Sequence, residues 1–289
     1  MHSQLEKTPL ISIIIPLYNC IDLTKKCLES LEKTIGGWSY EVILVDDGST
    51  DGTREYLQTL GSRYTVILNQ DNKGYSHNNN LGARIARGRY LGLLNNDLIL
   101  TEGWFAPIME LFETQDNIGC IGNIQYSAST GLIDHAGIFF DLLGCPAHAR
   151  KNRKRLPLGT FSEWNAVTAA CLFIEKKRFE ELNGLDEGYR NGSEDTDLCV
   201  RLRLAGYRIL LSHESRILHH VSQSPGRNKY NDKNSQRFMS KWSEVTREWG
   251  QSEWPAGYLT RYARHFWKFN GTKLFKALYL LAKKKLLPH

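Results

Sequence analysis

The chain reads as an α/β protein: a Rossmann-like, mostly parallel central sheet flanked by helices, with a small C-terminal helical extension. Two patterns predict this. Apolar runs at residues 11–17, 41–45, 65–68 and 90–94 alternate with segments of helical periodicity over the first hundred residues, and such alternation implies parallel strands joined by covering helices. The runs are apolar at nearly consecutive positions, as strands buried on both faces must be.

The elements follow in order. ISIIIPL at 11–17 is the first strand, broken at Pro16 and followed by a loop at Tyr18 and Asn19. Asp22 caps a helix whose Leu23, Cys27, Leu28 and Leu31 share one face. EVILV at 41–45 runs straight into Asp46-Asp47-Gly48-Ser49, and a helix over 50–60 carries Tyr56, Leu57 and Leu60. After TVIL at 65–68, a polar loop over 69–74 leads to a helix over 76–86. The fourth strand stops abruptly at Asn95-Asn96-Asp97. That sets a carboxylate at the carboxyl end of a central strand, the edge where open α/β sheets bind ligands. With its flanking amides it suits a hard divalent cation held against phosphate oxygens, and equally an Asn-rich turn capping the next helix.

Beyond a helix over 104–113 the periodicity weakens. Strands at 119–126 and 137–140 are separated by loops, and 126–162 reads as variable and mobile. An apolar strand follows at 166–174, then a helix over 176–182 closed by Asn183-Gly184. A Gly- and Asn-rich loop at 186–193 precedes a helix over 194–205, and short strands at 208–211 and 217–218 end the sheet.

At 289 residues, with 41% hydrophobic and 24% charged side chains, the chain buries one large core plus an appendage. Its net charge of +6 is unevenly placed, in RKNRKR at 150–155 and in Lys283, Lys284 and Lys285; such clusters point to an anionic partner. The six cysteines show no CxxC pairing and sit mostly in apolar runs, as small core residues in a reducing compartment do. No secretory leader pattern and no membrane-length apolar run is present. The expectation is a cytoplasmic protein, with the inner face of the cytoplasmic membrane as its other station.

Three acidic clusters fall where a strand or loop hands over to a helix: Asp46-Asp47, Asp97, and Glu194-Asp195 with Asp197. Each has a plain structural reading beside the chemical one. Asp46–Ser49 also makes a turn and cap, and Glu194–Asp197 also pairs carboxylates with a helix dipole. His219-His220 beside a short apolar strand serves either packing or ligation.

The order of these pieces resembles the family 2 glycosyltransferases, whose fold is the GT-A type. Residues 12–19, SIIIPLYN, look like that family's opening strand and donor loop. VDDGSTDGT at 45–53 matches its signature without departure. Asn72-Lys73-Gly74 with Asn79-Asn80-Leu81-Gly82 resembles the next motif. Asn95-Asn96-Asp97 stands in the place of the DXD motif, NGLDE at 183–187 in that of the GGFDE loop, and EDTDL at 194–198 in that of the ED motif. The resemblance covers roughly residues 10–224.

What the resemblance implies is an inverting, metal-dependent hexosyltransferase moving a sugar from a nucleotide donor to a hydroxyl of a cell-surface polysaccharide or lipid-linked glycan. Donor contacts fall to Pro16, Tyr18, Asn19, Asp46, Asp47, Asn72, Lys73, Gly74, Asn95, Asn96 and Asp97. A divalent cation, Mn2+ or Mg2+, falls to Asp97 and His219, the latter aligned through an H-x-x-x-x-S pattern with Ser224. Asp195 is implied as base, with Glu194 orienting the acceptor or substituting for it, and acceptor contacts fall to Trp164, Thr168 and Asp186. Two positions depart from the family pattern: neutral Asn95 opens the DXD motif, and Ala169 stands where relatives often carry Gly.

The NND triplet and the ED-x-D-L helix are similar to those of bacterial rhamnosyltransferases, which puts dTDP-rhamnose first as donor and a UDP-hexose second. The rival class is a non-catalytic nucleotide-sugar binding or scaffold protein of a glycan assembly complex. An α/β oxidoreductase is excluded because no Gly-rich dinucleotide fingerprint follows the first strand.

The expected organisation is a catalytic domain over 1–224 and a helical, basic amphipathic extension over 225–289. In the extension, residues 237–242 read as a helix packed on the catalytic domain. Residues 258–287 interleave Tyr262, Phe266, Trp267, Phe269, Leu274, Phe275, Leu278 and Leu281 with Lys and Arg. That composition suits peripheral contact with an anionic membrane, or else a packed helical subdomain with a solvated basic face. No nucleic-acid partner is expected, since no recognition motif accompanies the charge.

Overall fold

The computed structural model describes residues 8–221, 227–264, 267 and 270–286. Ser224, the proposed boundary at 224/225, Phe266, Phe269 and Leu287 lie outside the described residues. Strand β1 (Ile11–Leu17) leads through helix α1 (Ile21–Thr34) to β2 (Tyr40–Asp46), α2 (Thr53–Thr59), β3 (Thr65–Leu68), α3 (Tyr75–Ile85) and β4 (Tyr90–Leu94). These strands are parallel, with β1 between β2 and β4 and β3 outside β2. Every β1 side chain is buried. The right-handed helical crossovers such strands require bury both faces of the sheet.

The chain continues as β5 (Leu98–Leu100), α4 (Ala106–Thr114), β6 (Ile118–Ser127), β7 (Ile133–His135), β8 (Ile138–Phe140), β9 (Pro146–His148), β10 (Phe161–Trp164) and β11 (Cys171–Glu175). Then come α5 (Lys176–Glu181), α6 (Glu194–Leu204), β12 (Arg208–His219), α7 (Asn231–Arg264) and α8 (Gly271–Leu286). The main sheet runs β10-β12-β6-β11-β4-β1-β2-β3. Its parallel half ends at β4, because β11 lies antiparallel to both β4 and β6. One core packs on each face of this sheet, the larger aromatic cluster forming around Trp104, Phe105 and Phe173.

Three expectations are corrected here. The strand anticipated over 166–174 begins only at Cys171, and residues 166–170 form a loop at its head. The two short strands expected at 208–211 and 217–218 are one strand, β12, carried past a register shift between Ser212 and Arg216. The segment 126–162 is built into the fold: β7 pairs with β6, β8 pairs with β9, and Ile138 bridges Ala166. Apart from β8, anticipated at 137–140, its short strands escape a periodicity argument because each has three or four residues.

The N-terminal half of α7 is docked on the body. Phe238 is 1% exposed and stacks on Phe140, with ring centroids 6.2 Å apart, and Met239, Trp242 and Trp249 pack on the same core. Gly250 lets α7 approach β8 closely, since a Cβ there would fall 1.9 Å from the Asp141 carbonyl oxygen. Glu253 ties the contact down by accepting from Phe140 N at 3.3 Å and Asn165 Nδ2 at 2.7 Å.

Candidate active site

A cavity of about 340 Å³ opens at the carboxyl ends of β1 and β4. Its position follows from the topology: where parallel strands end, loops diverge and leave a crevice. Pro16, Tyr18, Asp47 and Asn72 line one side; Asn95, Asn96, Asp97 and His219 line the end of β4; Thr168, Glu194 and Asp195 line a third wall.

Register explains how Asp97 meets a residue so distant in sequence. Strand β5 begins directly after Asp97 and pairs antiparallel with β12, placing Leu98 opposite His219. Asp97 Oδ1 then lies 3.2 Å from His219 Nε2, with both side chains buried. Asn96 donates to Thr24 Oγ1 at 2.9 Å, and Asn95 N donates to the Ala170 carbonyl at 2.9 Å. The triplet is thus pinned from both sides.

Asp47 is 3% exposed and accepts from Lys73 N at 2.7 Å and Gly74 N at 2.9 Å, so it anchors the 72–74 loop while facing the cavity. Asp195 Oδ2 accepts from Ala169 N at 3.1 Å and its Oδ1 from Thr196 N at 2.7 Å. Both bonds hold the carboxylate in place. Glu194 accepts from Gly192 N at 2.5 Å. Tyr75, which closes the floor below this pair, donates to the Ala169 carbonyl at 2.6 Å. Burial, then the charges of Glu194 and Asp195, push its hydroxyl well above the usual phenol range.

Asn19, Asp46, Lys73 and Gly74 are not among the lining residues; they shape the wall from behind. Asp46 is wholly buried and accepts from Gly48 N and Ser49 N at 3.2 Å, which is the turn-making role a carboxylate before Gly-Ser also serves. Asn19 accepts from Thr50 N at 2.8 Å, and Lys73 pairs with Asp71. Of the three acceptor candidates, Thr168 lines the cavity and the other two do not. Trp164 faces a separate 310 Å³ cleft with Arg203 and Trp249. Asp186 is occupied by Arg237 at 2.8 Å and Lys241 at 2.9 Å. Burial would raise its carboxyl, but the Lys241, Arg237 and Gly188 hydrogen bonds outweigh that and lower it to about 2.

Sequence reasoning missed the wall formed by Asp134, His148 and Lys151, together with Tyr75 and Gln125. No spacing signal pointed there. Asp134 and His148 enter on the three-residue strands β7 and β9, Lys151 on the turn beyond them, and Tyr75 and Gln125 on elements whose pattern shows the element but not the face turned to the cavity.

The donor set fits one hard divalent cation. Asp97 and His219 converge, neither ring nitrogen of His219 has a hydrogen-bond partner, and no group of three or more His, Cys, Asp or Glu is assembled among the described residues. A two-ligand protein site completed by substrate phosphates is how such cations are commonly bound. The cavity wall also sets Asp47, Asp97, Asp134, Glu194 and Asp195 against Lys151 alone among described lysines and arginines; a diphosphate could not enter such a field without added positive charge.

An α/β sheet with a carboxylate-lined crevice at its switch between parallel and antiparallel strands defines the GT-A class. Two solved structures share the fold: GalNAc-T7 with UDP, GalNAc and Mn2+ (TM-score 0.66, 18% identity, 86% of this chain and 51% of that one), and a mannosyltransferase of Pyrobaculum calidifontis with GDP-Man and Mn2+ (TM-score 0.55, 16% identity, 97% and 88%). The model for Glycosyl transferase family 2 matches residues 12–181, and one described as the N-terminal domain of galactosyltransferase matches 157–222. The chain belongs to glycosyl transferase family 2. It is 32% identical over 258 residues, 85% of its length, to an uncharacterized protein of Sinorhizobium fredii, and 30% identical over 230 residues, 75% of its length, to an O-antigen biosynthesis protein of Myxococcus xanthus. It spans 28% and 18% of those two relatives.

Proposed function

We propose that the chain is an inverting glycosyltransferase that moves a sugar from a nucleotide donor to a hydroxyl of a surface polysaccharide or lipid-linked glycan. The observation that carries this is the convergence, in one cavity, of Asp97 and His219 with a backbone-anchored carboxylate, Asp195. Pro16, Tyr18, Asp47 and Asn72 border the nucleotide. Asp97 and His219 would hold a divalent cation, and such a cation would supply positive charge against the departing diphosphate. Asp195 takes the proton of the attacking hydroxyl, its geometry fixed by Ala169 N and Thr196 N. A single displacement served by one base inverts the anomeric centre. Glu194 orients the acceptor beside it. The organisation proposed is a catalytic unit over 1–224 with a helical extension over 225–289. The relationship to an O-antigen biosynthesis protein supports a polysaccharide role, with dTDP-rhamnose and UDP-hexoses as the donors to try first.

The test is nucleotide release from a panel of UDP-, GDP- and dTDP-sugars, with and without Mn2+ or Mg2+. Metal-dependent turnover of one donor, lost in Asp195→Asn, is the expected result. Donor binding without turnover, even with acceptor glycans added, would favour the scaffold reading instead.

The tail supports a second proposal, peripheral contact with an anionic membrane. Phe275, Leu278 and Tyr279 on α8 are 73%, 52% and 58% exposed, beside Lys273, Lys276 and Lys283. No helix among the described residues is long and apolar enough to cross a membrane.

A further inference from the structure

The loop over 186–193 faces two ways. Its end, residues 191–193, lines the cavity just ahead of Glu194 and Asp195, while its back is gripped by α7. Asn234, 2% exposed, clamps the Arg190 backbone, accepting from its N–H at 3.2 Å and donating to its carbonyl at 2.8 Å. Arg237 and Lys241 hold Asp186. Lys241 also reaches the wholly buried Asp197, which accepts from Trp242 Nε1 at 2.8 Å and from the Tyr189 hydroxyl at 3.2 Å. Positions 234, 237, 241 and 242 share one face of a helix. One side of α7 therefore backs the segment from Asp186 to Asp197.

From the front, the same loop is stitched to the side of the cavity that Asp47 and Asn72 line. Asp47 fixes Lys73 and Gly74 by their amides, and the Arg190 guanidinium fixes Asn72 by donating to its carbonyl. Beside this bond, Asn191 Oδ1 accepts from Tyr75 N at the head of α3 at 3.2 Å, and Ser76 Oγ donates to the Tyr189 carbonyl at 3.4 Å. Gly74, at φ +94°, leaves room for the crossing, since a Cβ there would fall 3.1 Å from Arg190 Cγ. The guanidinium also lies over the ring of Tyr230, just ahead of α7, 5.5 Å from its centroid.

We infer that Arg190 is a positioning residue for donor binding: by holding the Asn72 carbonyl it sets the wall that borders the nucleotide, and α7 keeps it in place by fixing its backbone. This rests on the nucleotide-sugar reading above and goes beyond it, because it makes the first turns of the helical extension part of the donor site's support. A hydrogen bond from a charged donor is stronger than a neutral one. A wall fixed before the nucleotide arrives also removes an ordering cost from binding.

The experiment uses the full chain. Calorimetric titration with UDP, GDP and dTDP identifies the nucleotide that the wild type binds. Arg190→Met keeps a stem against Gly74 and removes the donor, so affinity for that nucleotide should fall on the order of tenfold. Arg190→Lys, which restores a cationic donor, should recover part of the loss. In turnover of the matching sugar nucleotide, the donor KM should rise in Arg190→Met while kcat holds, a split that loss of stability alone does not produce. Hydrogen exchange on the wild type gives a readout free of substitution. Bound nucleotide should slow exchange at 72–76 and also in the first turns of α7, none of whose residues lines the cavity. Arg190→Met binding as tightly as the wild type, a loss that Arg190→Lys does not lessen, or protection confined to 72–76 overturns the inference and leaves the nucleotide-sugar reading standing. A wild type that binds none of the three nucleotides overturns both.

Discussion

Asp195 and Asp97 make different predictions although both are carboxylates on one cavity. Asp195→Asn removes the base, and its amide can answer only one of the two backbone N–H groups, so donor release in the presence of acceptor should fall about 10²- to 10⁴-fold while donor affinity holds. Asp97→Ala removes one of two converging donors, and Mn2+ affinity measured by calorimetry should drop more than about 10-fold. Asp186 belongs to stability instead. Its carboxyl titrates near about 2 when folded against an ordinary 3.8. A depressed folded value means the stabilisation is present above about 3.8 and is lost as pH falls through about 2. Acid unfolding followed by circular dichroism should show the wild type losing its advantage over Asp186→Asn across that window. The sequence pointed to Asp186 as an acceptor contact; in the structure α7 brings Arg237 and Lys241 onto it, and it is not among the residues lining the cavity.

Among the elements, α7 packs against β8 and the turn that follows it. Its Phe238 fills a space beside Phe140, and Phe238→Ala should cost about 3–5 kcal/mol in denaturant unfolding. Gly250→Ala should lower the melting temperature and loosen the β8–β9 hairpin, because the added methyl meets the Asp141 backbone. The β1–β4 half and its loops were legible because each strand is a continuous apolar run ending in a distinctive polar turn. In the β7–β10 segment only β8 was, because the other strands are short and pair with β6, β8 and β12 rather than carrying a pattern of their own.

For the molecule as a whole, the tail and the body make separable contributions. Deleting 271–289 should leave donor turnover intact and abolish salt-sensitive cosedimentation with anionic vesicles; unchanged cosedimentation would remove the membrane proposal. The motif order and the parallel half of the sheet were readable along the chain, since each depends on residues adjacent in sequence or on an ordered set of motifs; that Asp97, His219, Glu194 and Asp195 line one cavity was implied only by the family resemblance. The antiparallel insertion of β11 and the Asp186 ion pairs were not. Each depends on which segments meet across the sheet, and a short strand or an isolated carboxylate carries no local pattern that names its partner.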